Sequence, residues 1–260
     1  MLISIAMDLV VEANYQLVQA WRVFTKSFPG RDAGDLPGLN LAWGEVPYFA
    51  YNAIVLSEPV ASPEDLDQRC ARAIEYMRAK RYPGIFMVCH DWLPPGAHLP
   101  EPLRLSWKMT GMVAEELLPP VRSFPKLDIR RVSDHKTLTD LYDINSAGYG
   151  INPELARAST GPAEDWEQNA FGFVAYHEGE PVSCAATFPV DGRLYVGQVA
   201  TMPRAQRRGY AEAVMRHSLN EATKATGIQR TVLHASDEGR PIYLRMGYRS
   251  TSKFTVYMLA

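Results

Sequence analysis

Apolar and polar positions in the second half of the chain follow two alternating rhythms. Across FGFVAYHEGEPVSCAATFPVDGRLYVGQVAT (171–201) the apolar residues form short runs, broken at Glu178-Gly179-Glu180-Pro181 and at Val190-Asp191-Gly192. That pattern predicts three strands joined by two turns. From about residue 206 the period lengthens. Ala211, Val214, Met215, Leu219 and Ala222 recur at helical spacing, Arg208, Glu212, Arg216, Asn220 and Lys224 occupy another face, and Gly227 stops the helix. IRRVSDHKTLTDLYDINSAGYG (129–150) reads as a strand, a helix and a glycine loop at Gly148 and Gly150. RTVLHAS (230–236), a short helix through Ile242 to Met246, and FTVYML (254–259) complete the order βαα-βββ-αβαβ. Such alternation builds an α/β fold around a mixed sheet with helices on both faces.

The first half shows a similar rhythm. Its opening, MLISIAMDLVV, is apolar, lacks a basic leader and a small-residue cleavage site, and meets Asp8 early, so it is expected to be a buried first strand rather than a signal peptide. PYFAYNAIVLS (47–57) predicts a strand. Ser62-Pro63-Glu64-Asp65 then supplies an N-cap, a proline at the first helical position and acids in the first turn. Leu66, Cys70, Ala73, Ile74 and Met77 continue the helix until Pro83-Gly84, and GIFMVC (84–89) is a short buried strand before the loop DWLPPGAHLPEP (91–102). Pro119, Pro120 and Pro125 in PPVRSFPK (119–126) break any helix or central strand, which sets a boundary between a domain at 1–125 and another at 126–260.

Composition narrows the functional classes. With 260 residues and 47% hydrophobic content, the chain can bury a substantial core. Its 27 Lys+Arg against 29 Asp+Glu create no global field that favours nucleic acid or an anionic membrane. Cys70, Cys89 and Cys184 lie far apart, which fits neither a disulfide framework nor a zinc site and indicates a reducing compartment. No apolar run is long enough to span a bilayer. The expectation is a cytoplasmic protein without a metal site, a membrane partner or a nucleic-acid partner; no feature assigns an oligomeric state.

The densest chemistry lies in TMPRAQRRGYAEAVM (201–215), where a strand end meets a turn rich in arginine and then a helix. A helix N-terminus presents unpaired N–H groups and the positive end of the dipole, and glycine permits close backbone approach. Arginines add charge-assisted bonds to phosphate. A phosphate cradle, a basic nucleic-acid patch and an ordinary solvated helix start all fit this stretch; the near-zero net charge and Glu212 weigh against nucleic acid.

Gln206-Arg207-Arg208-Gly209-Tyr210-Ala211 resembles the Q/R-x-x-G-x-G/A signature of the GNAT superfamily of N-acetyltransferases, and it follows VATMP as the family's strand end precedes its loop. Two lookalikes read as loops: 31–36 lacks a small last residue and runs into Pro37-Gly38 rather than a helix, and 145–150 lacks the Gln/Arg and follows a helix. LHASDEGRPIYLRMGYR (233–249) also resembles the family's closing strand-helix-strand, with Tyr243 four residues before Gly247-Tyr248. The resemblance covers about 127–260. The first half has the rhythm without the signature and resembles a degenerate GNAT-like copy, in which Trp43, Tyr51 and Asn52 either contribute to an acceptor pocket or pack the core.

The resemblance implies a GNAT fold in the C-terminal half and acetyl-CoA as cosubstrate. It places the pyrophosphate on Gln206, Arg207, Arg208, Gly209, Tyr210 and Ala211, the thioester carbonyl near the N–H groups of Val199 and Ala200, and the pantetheine arm along Thr201. It also implies Tyr243 as general acid toward the leaving thiolate, against a simpler reading as a core tyrosine. No general base stands out. His234 sits among apolar neighbours, His177 beside a turn, Glu167 and Asp237 would need a bridging water, and the direction of Gln198 depends on register. Met202, Met215, Phe171, Phe173, Tyr176 and Phe188 read as core. The implied activity is transfer of an acetyl group to a primary amine of a small molecule by direct attack in a ternary complex. The alternatives are a non-catalytic acyl-CoA sensor and a protein lysine acetyltransferase.

Overall fold

The computed structural model describes residues 2–260. In chain order the elements are α1 (Leu2–Phe24), β1 (Asp35–Leu36), β2 (Leu39–Trp43), β3 (Asn52–Leu56), α2 (Pro63–Arg78), β4 (Ile85–Cys89) and β5 (Leu103–Ala114). They are followed by β6 (Asp128–Arg131), α3 (His135–Tyr149), α4 (Pro153–Arg157), α5 (Ala163–Asn169), β7 (Phe171–His177), β8 (Glu180–Val190) and β9 (Arg193–Thr201). The chain ends with α6 (Tyr210–Thr226), β10 (Thr231–Ala235), α7 (Arg240–Arg245) and β11 (Arg249–Leu259). Among the described residues no helix is long and apolar enough to cross a membrane.

Two compact units emerge. One joins the residues up to Val113 with 234–241 and 249–260; the other comprises 114–233 and 242–248. A single cut at 125/126 therefore does not describe the chain. The cause is β11, which pairs antiparallel with both β4 and β5 and so returns the C-terminus to the first unit.

In the first unit the strands run β1-β2-β3-β4-β11-β5. β2 and β3 are antiparallel, and β3 and β4 are parallel, linked through α2. Ser62 caps α2 as its sequence predicts, its hydroxyl accepting from Asp65 N at 3.2 Å, and Leu66, Cys70, Ala73 and Met77 face the core. Arg69 is buried because its fork is fully used: it grips both oxygens of Asp65 (2.9 and 2.7 Å) and donates to the Glu58 carbonyl (2.9 Å).

The expected N-terminal strand is instead the start of α1. Its apolar run continues into ANYQLVQAW, where Ala13, Leu17 and Ala20 are buried at helical intervals. The period of the run, not its apolar content, decides the element. Two further differences concern strands. Residues 49–51 form a single 3₁₀ turn, so the strand expected from 47 begins at Asn52. The twelve-residue strand β5 is absent from the sequence expectation, although Leu103, Leu105, Trp107 and Met109 alternate with Arg104, Ser106, Lys108 and Thr110 at the strand period.

The second unit orders its strands β6-β7-β8-β9-β10. The β7–β8 and β8–β9 turns place Glu178-Gly179 (φ 54 and 84) and Asp191-Gly192 (φ 42 and 74) in the left-handed region, the geometry that matches hairpin twist. α6 then crosses so that β10 pairs parallel with β9. A capping box of Asp134 and Thr137 starts α3, and Gly150 at φ 67 ends it. The loop expected around Gly148 is absent, because Gly148 lies inside α3. There a Cβ would come within 2.9 Å of the Ala200 Cβ, so the missing side chain lets the helix lie directly on β9. Phe173, Tyr176, Phe188 and Met215 are buried as expected.

Candidate active site

The turn between β9 and α6 is built from the quoted motif. Pro203–Ala205 form a 3₁₀ turn, and Arg207 (φ 66) and Gly209 (φ 85) adopt left-handed backbone. The first N–H of the helix to find a backbone acceptor is that of Ala213, on the Gly209 carbonyl at 3.1 Å. Among the described residues the N–H groups of Arg207 through Glu212 have no acceptor within the chain. This open row of donors stands at the positive end of a seventeen-residue helix. The contrast with α2 is instructive, because that helix start is closed by Ser62 and carries Glu64 and Asp65 in its first turn. The start of α2 thus presents no comparable anion seat.

The motif side chains divide by role. Gln206, Arg207 and Arg208 are exposed, whereas Tyr210 is 3% exposed and packs its ring with Val182 and Ala205. Tyr210 and Ala211 therefore bring backbone to the turn. Arg204 is drawn away by Glu180 at 3.5 Å, but Arg207 and Arg208 have no carboxylate partner among the described residues. Glu212, an acid in the first helical turn, is buried and held by Arg216 at 2.9 Å. The helix face that carries Arg208, Glu212 and Arg216 thus contains a buried ion pair. That pairing cancels the negative charge nearest the turn.

Sequence reading missed a third cation here. The Arg122 guanidinium lies over Gly209, with Nη2 3.1 Å from where a Cβ would stand. Its position in a proline-rich connecting segment gave no signal of this.

β9 meets the turn from the other side. Thr231, Val232 and Leu233 of β10 are in register with Leu194, Tyr195 and Val196, and β9 continues to Thr201. Past Val196 it carries a bulge opposite β8, marked by the register shift between Cys184 and Ala186 and by Gln198 at φ 54. The Val199 carbonyl accepts from the Tyr149 hydroxyl (3.2 Å), and the Ala200 carbonyl accepts from the Ser183 hydroxyl (2.7 Å). The Thr201 hydroxyl is 2.8 Å from that of Ser183, and its carbonyl accepts weakly from the Gln206 amide at 3.5 Å.

Tyr243 stands on α7 and is 8% exposed. Its ring packs edge-on against Tyr248, with centroids 5.9 Å apart. Its carbonyl accepts from both Met246 N and Tyr248 N at 3.0 Å, which fixes the following turn. Gly247 sits in that turn at φ 101, and a Cβ there would stand 3.1 Å from Leu118 N, so glycine is required. Among the described residues the Tyr243 hydroxyl has no hydrogen-bond partner. Burial, with Tyr149, Tyr248 and Tyr195 nearby, holds its pKa well above 10, so it keeps its proton at neutral pH. Tyr149 is the last residue of α3, where the sequence predicts a loop at 145–150.

The base candidates separate. Burial pushes His234 down to about 3, and its ring lies edge-on against Phe254 at 4.7 Å, so it is a neutral core side chain. His177 is a partly exposed residue whose ring is 5.5 Å from that of Tyr210. The Glu167 carbonyl accepts from Arg131 at 3.1 Å.

Residues 138–248 match the model of the Acetyltransferase (GNAT) family. The matched stretch contains the turn, β9 and Tyr243. Solved structures share the fold over nearly the whole chain. A GCN5-related N-acetyltransferase from Kribbella flavida is 16% identical with a TM-score of 0.70, covering 95% of each chain. A GCN5-related N-acetyltransferase-like protein from Streptococcus suis is 13% identical with a TM-score of 0.57, covering 96% of this chain and 98% of its own. A putative GNAT acetyltransferase from Novosphingobium aromaticivorans is 15% identical with a TM-score of 0.54, covering 88% and 91%. No curated protein matches the chain.

Proposed function

We propose that this protein transfers an acetyl group from acetyl-CoA to a primary amine of a small molecule by direct attack in a ternary complex. The observation that carries the reading is the row of unsatisfied N–H donors from Arg207 to Glu212, flanked by unpaired arginines and free of net negative charge. A diphosphate fits such a row, since each oxygen meets an N–H already aimed outward and needs no reorganisation. Gly209 fits it too, because a side chain there would fill the space that Arg122 overlies.

Acetyl-CoA supplies the acetyl group as a thioester. The chain's own residues supply the rest. The bulged stretch at Val199 and Ala200 offers N–H groups to a developing oxyanion, and Thr201 offers backbone to an extended arm. Tyr243 holds a proton for the departing sulfur, and its raised pKa keeps that proton available across the working range. His234, held neutral by its low pKa, is not a ready base. The reading therefore has the amine arrive deprotonated or lose its proton to water.

Thermal unfolding with and without acetyl-CoA tests the first step. At ~100 times its dissociation constant the ligand adds roughly 2.7 kcal/mol. Gly209→Glu should remove that gain by placing a carboxylate against the diphosphate. No stabilisation of the unaltered protein at millimolar acetyl-CoA would sink the proposal.

A further inference from the structure

The segment from Glu116 to Phe124 is more than a connection. Leu118 N donates to the Met246 carbonyl at 2.9 Å and its backbone abuts Gly247, so the segment is pinned to the turn that follows Tyr243. Four residues further on, Arg122 reaches the second motif. Its Nη2, Cζ and Nε lie 3.1, 3.6 and 3.6 Å from the Cβ position of Gly209, so the guanidinium approaches the glycine with Nη2 foremost. Arg122 is exposed and has no hydrogen-bond or carboxylate partner among the described residues. An unpaired guanidinium against backbone is held there by no attraction from the protein itself. An anion on the N–H groups of Arg207 to Glu212 would supply one.

Resting on the reading of this site as an acetyl-CoA seat, we propose that Arg122 is a phosphate-binding residue that closes the cradle from outside. The backbone donors take one side of the diphosphate, and the guanidinium fork takes two oxygens on the other. A fork with parallel donors suits that geometry better than a point charge. The ligand class is a nucleoside diphosphate ester, and the contact is to the diphosphate rather than to the 3′-phosphate of the adenosine. Gly209 is the N-cap of α6, where the open donors converge, and Arg122 overlies that residue. A consequence is that a bound diphosphate ties the 116–124 segment to both motifs at once.

Calorimetric titration of acetyl-CoA and of 3′-dephospho-CoA into the unaltered protein and into Arg122→Ala tests this. Arg122 has no partner to lose, so the variant without ligand should melt with the parent. The expected result is a loss of about tenfold in affinity, or 1.4 kcal/mol, for both ligands alike. Equal affinity of variant and parent would overturn the role of Arg122 while leaving the acetyl-CoA reading intact. A loss seen with acetyl-CoA and absent with 3′-dephospho-CoA would overturn the diphosphate assignment. Failure of the unaltered protein to bind either ligand would bring down both readings together.

Discussion

Gly148 offers a test in which two known effects oppose each other. In a helix interior, glycine to alanine normally stabilises by up to about 1 kcal/mol, because the backbone loses less freedom on folding. Here the new Cβ would stand 2.9 Å from the Cβ of Ala200, which is rigidly attached to the β9 backbone. Ordinary carbon contacts begin near 3.5 Å, so α3 and β9 must separate by about 0.5 Å or more. Overpacking of this kind costs about 1–3 kcal/mol. The balance predicts that Gly148→Ala destabilises by roughly 1 kcal/mol, lowering the melting midpoint by about 2–4 °C. Gly150 provides the control: at φ 67 with nothing within 4 Å of a Cβ, alanine there brings backbone strain without contact. Removing the opposing atom should therefore rescue Gly148→Ala and not Gly150→Ala. In a double-mutant cycle with Ala200→Gly, the Gly148→Ala pair should couple favourably by about 1 kcal/mol, and the Gly150→Ala pair should simply add. A Gly148→Ala protein that melts above its parent, or a cycle with no coupling, would show that the helix-to-strand contact relaxes freely and that the argument is wrong.

Two further outcomes are expected. Tyr243→Phe should leave the melting midpoint and acetyl-CoA affinity near those of the parent, since no internal hydrogen bond is lost, while slowing thiol release by about 10²-fold or more; unchanged turnover would exclude the acid role. His234 is neutral in the fold with a pKa of about 3, against about 6.5 when unfolded, so the unfolded chain binds the extra proton between those values. Stability should consequently fall as pH drops from 6.5 toward 3, by up to about 1.4 kcal/mol per unit from this group, and His234→Phe should flatten that slope in urea titrations at a series of pH values. An undiminished slope would place the acid sensitivity elsewhere.

Much of the second half was legible because its signals are local. Left-handed turn residues at Glu178-Gly179 and Asp191-Gly192, the run of helical spacing from Ala211 to Ala222, and the stop at Gly227 all act within a few residues of the chain. The turn at 206–211 belongs to the same class, since its open donors follow from a strand end, a glycine and a helix start. The N-terminal helix was misread where a short apolar run fits either period, and the answer lay in the polar residues that follow it.

What sequence alone determined here is the order of elements in the second half, the open backbone turn at 206–211 and the candidacy of Tyr243. Tertiary structure decided which groups stand against them. Arg122 meets Gly209 across 87 positions of chain, Gly148 meets Ala200 across 52, and the Tyr149 hydroxyl meets the Val199 carbonyl across 50. It also turned Glu212 from a repelling acid into half of an ion pair, and sent β11 back to pair with β4 and β5. The physical reason is range. Turn and helix propensities act over a few bonds and leave a mark in neighbouring residues, whereas packing and charge pairing depend on distances that only the closed chain sets.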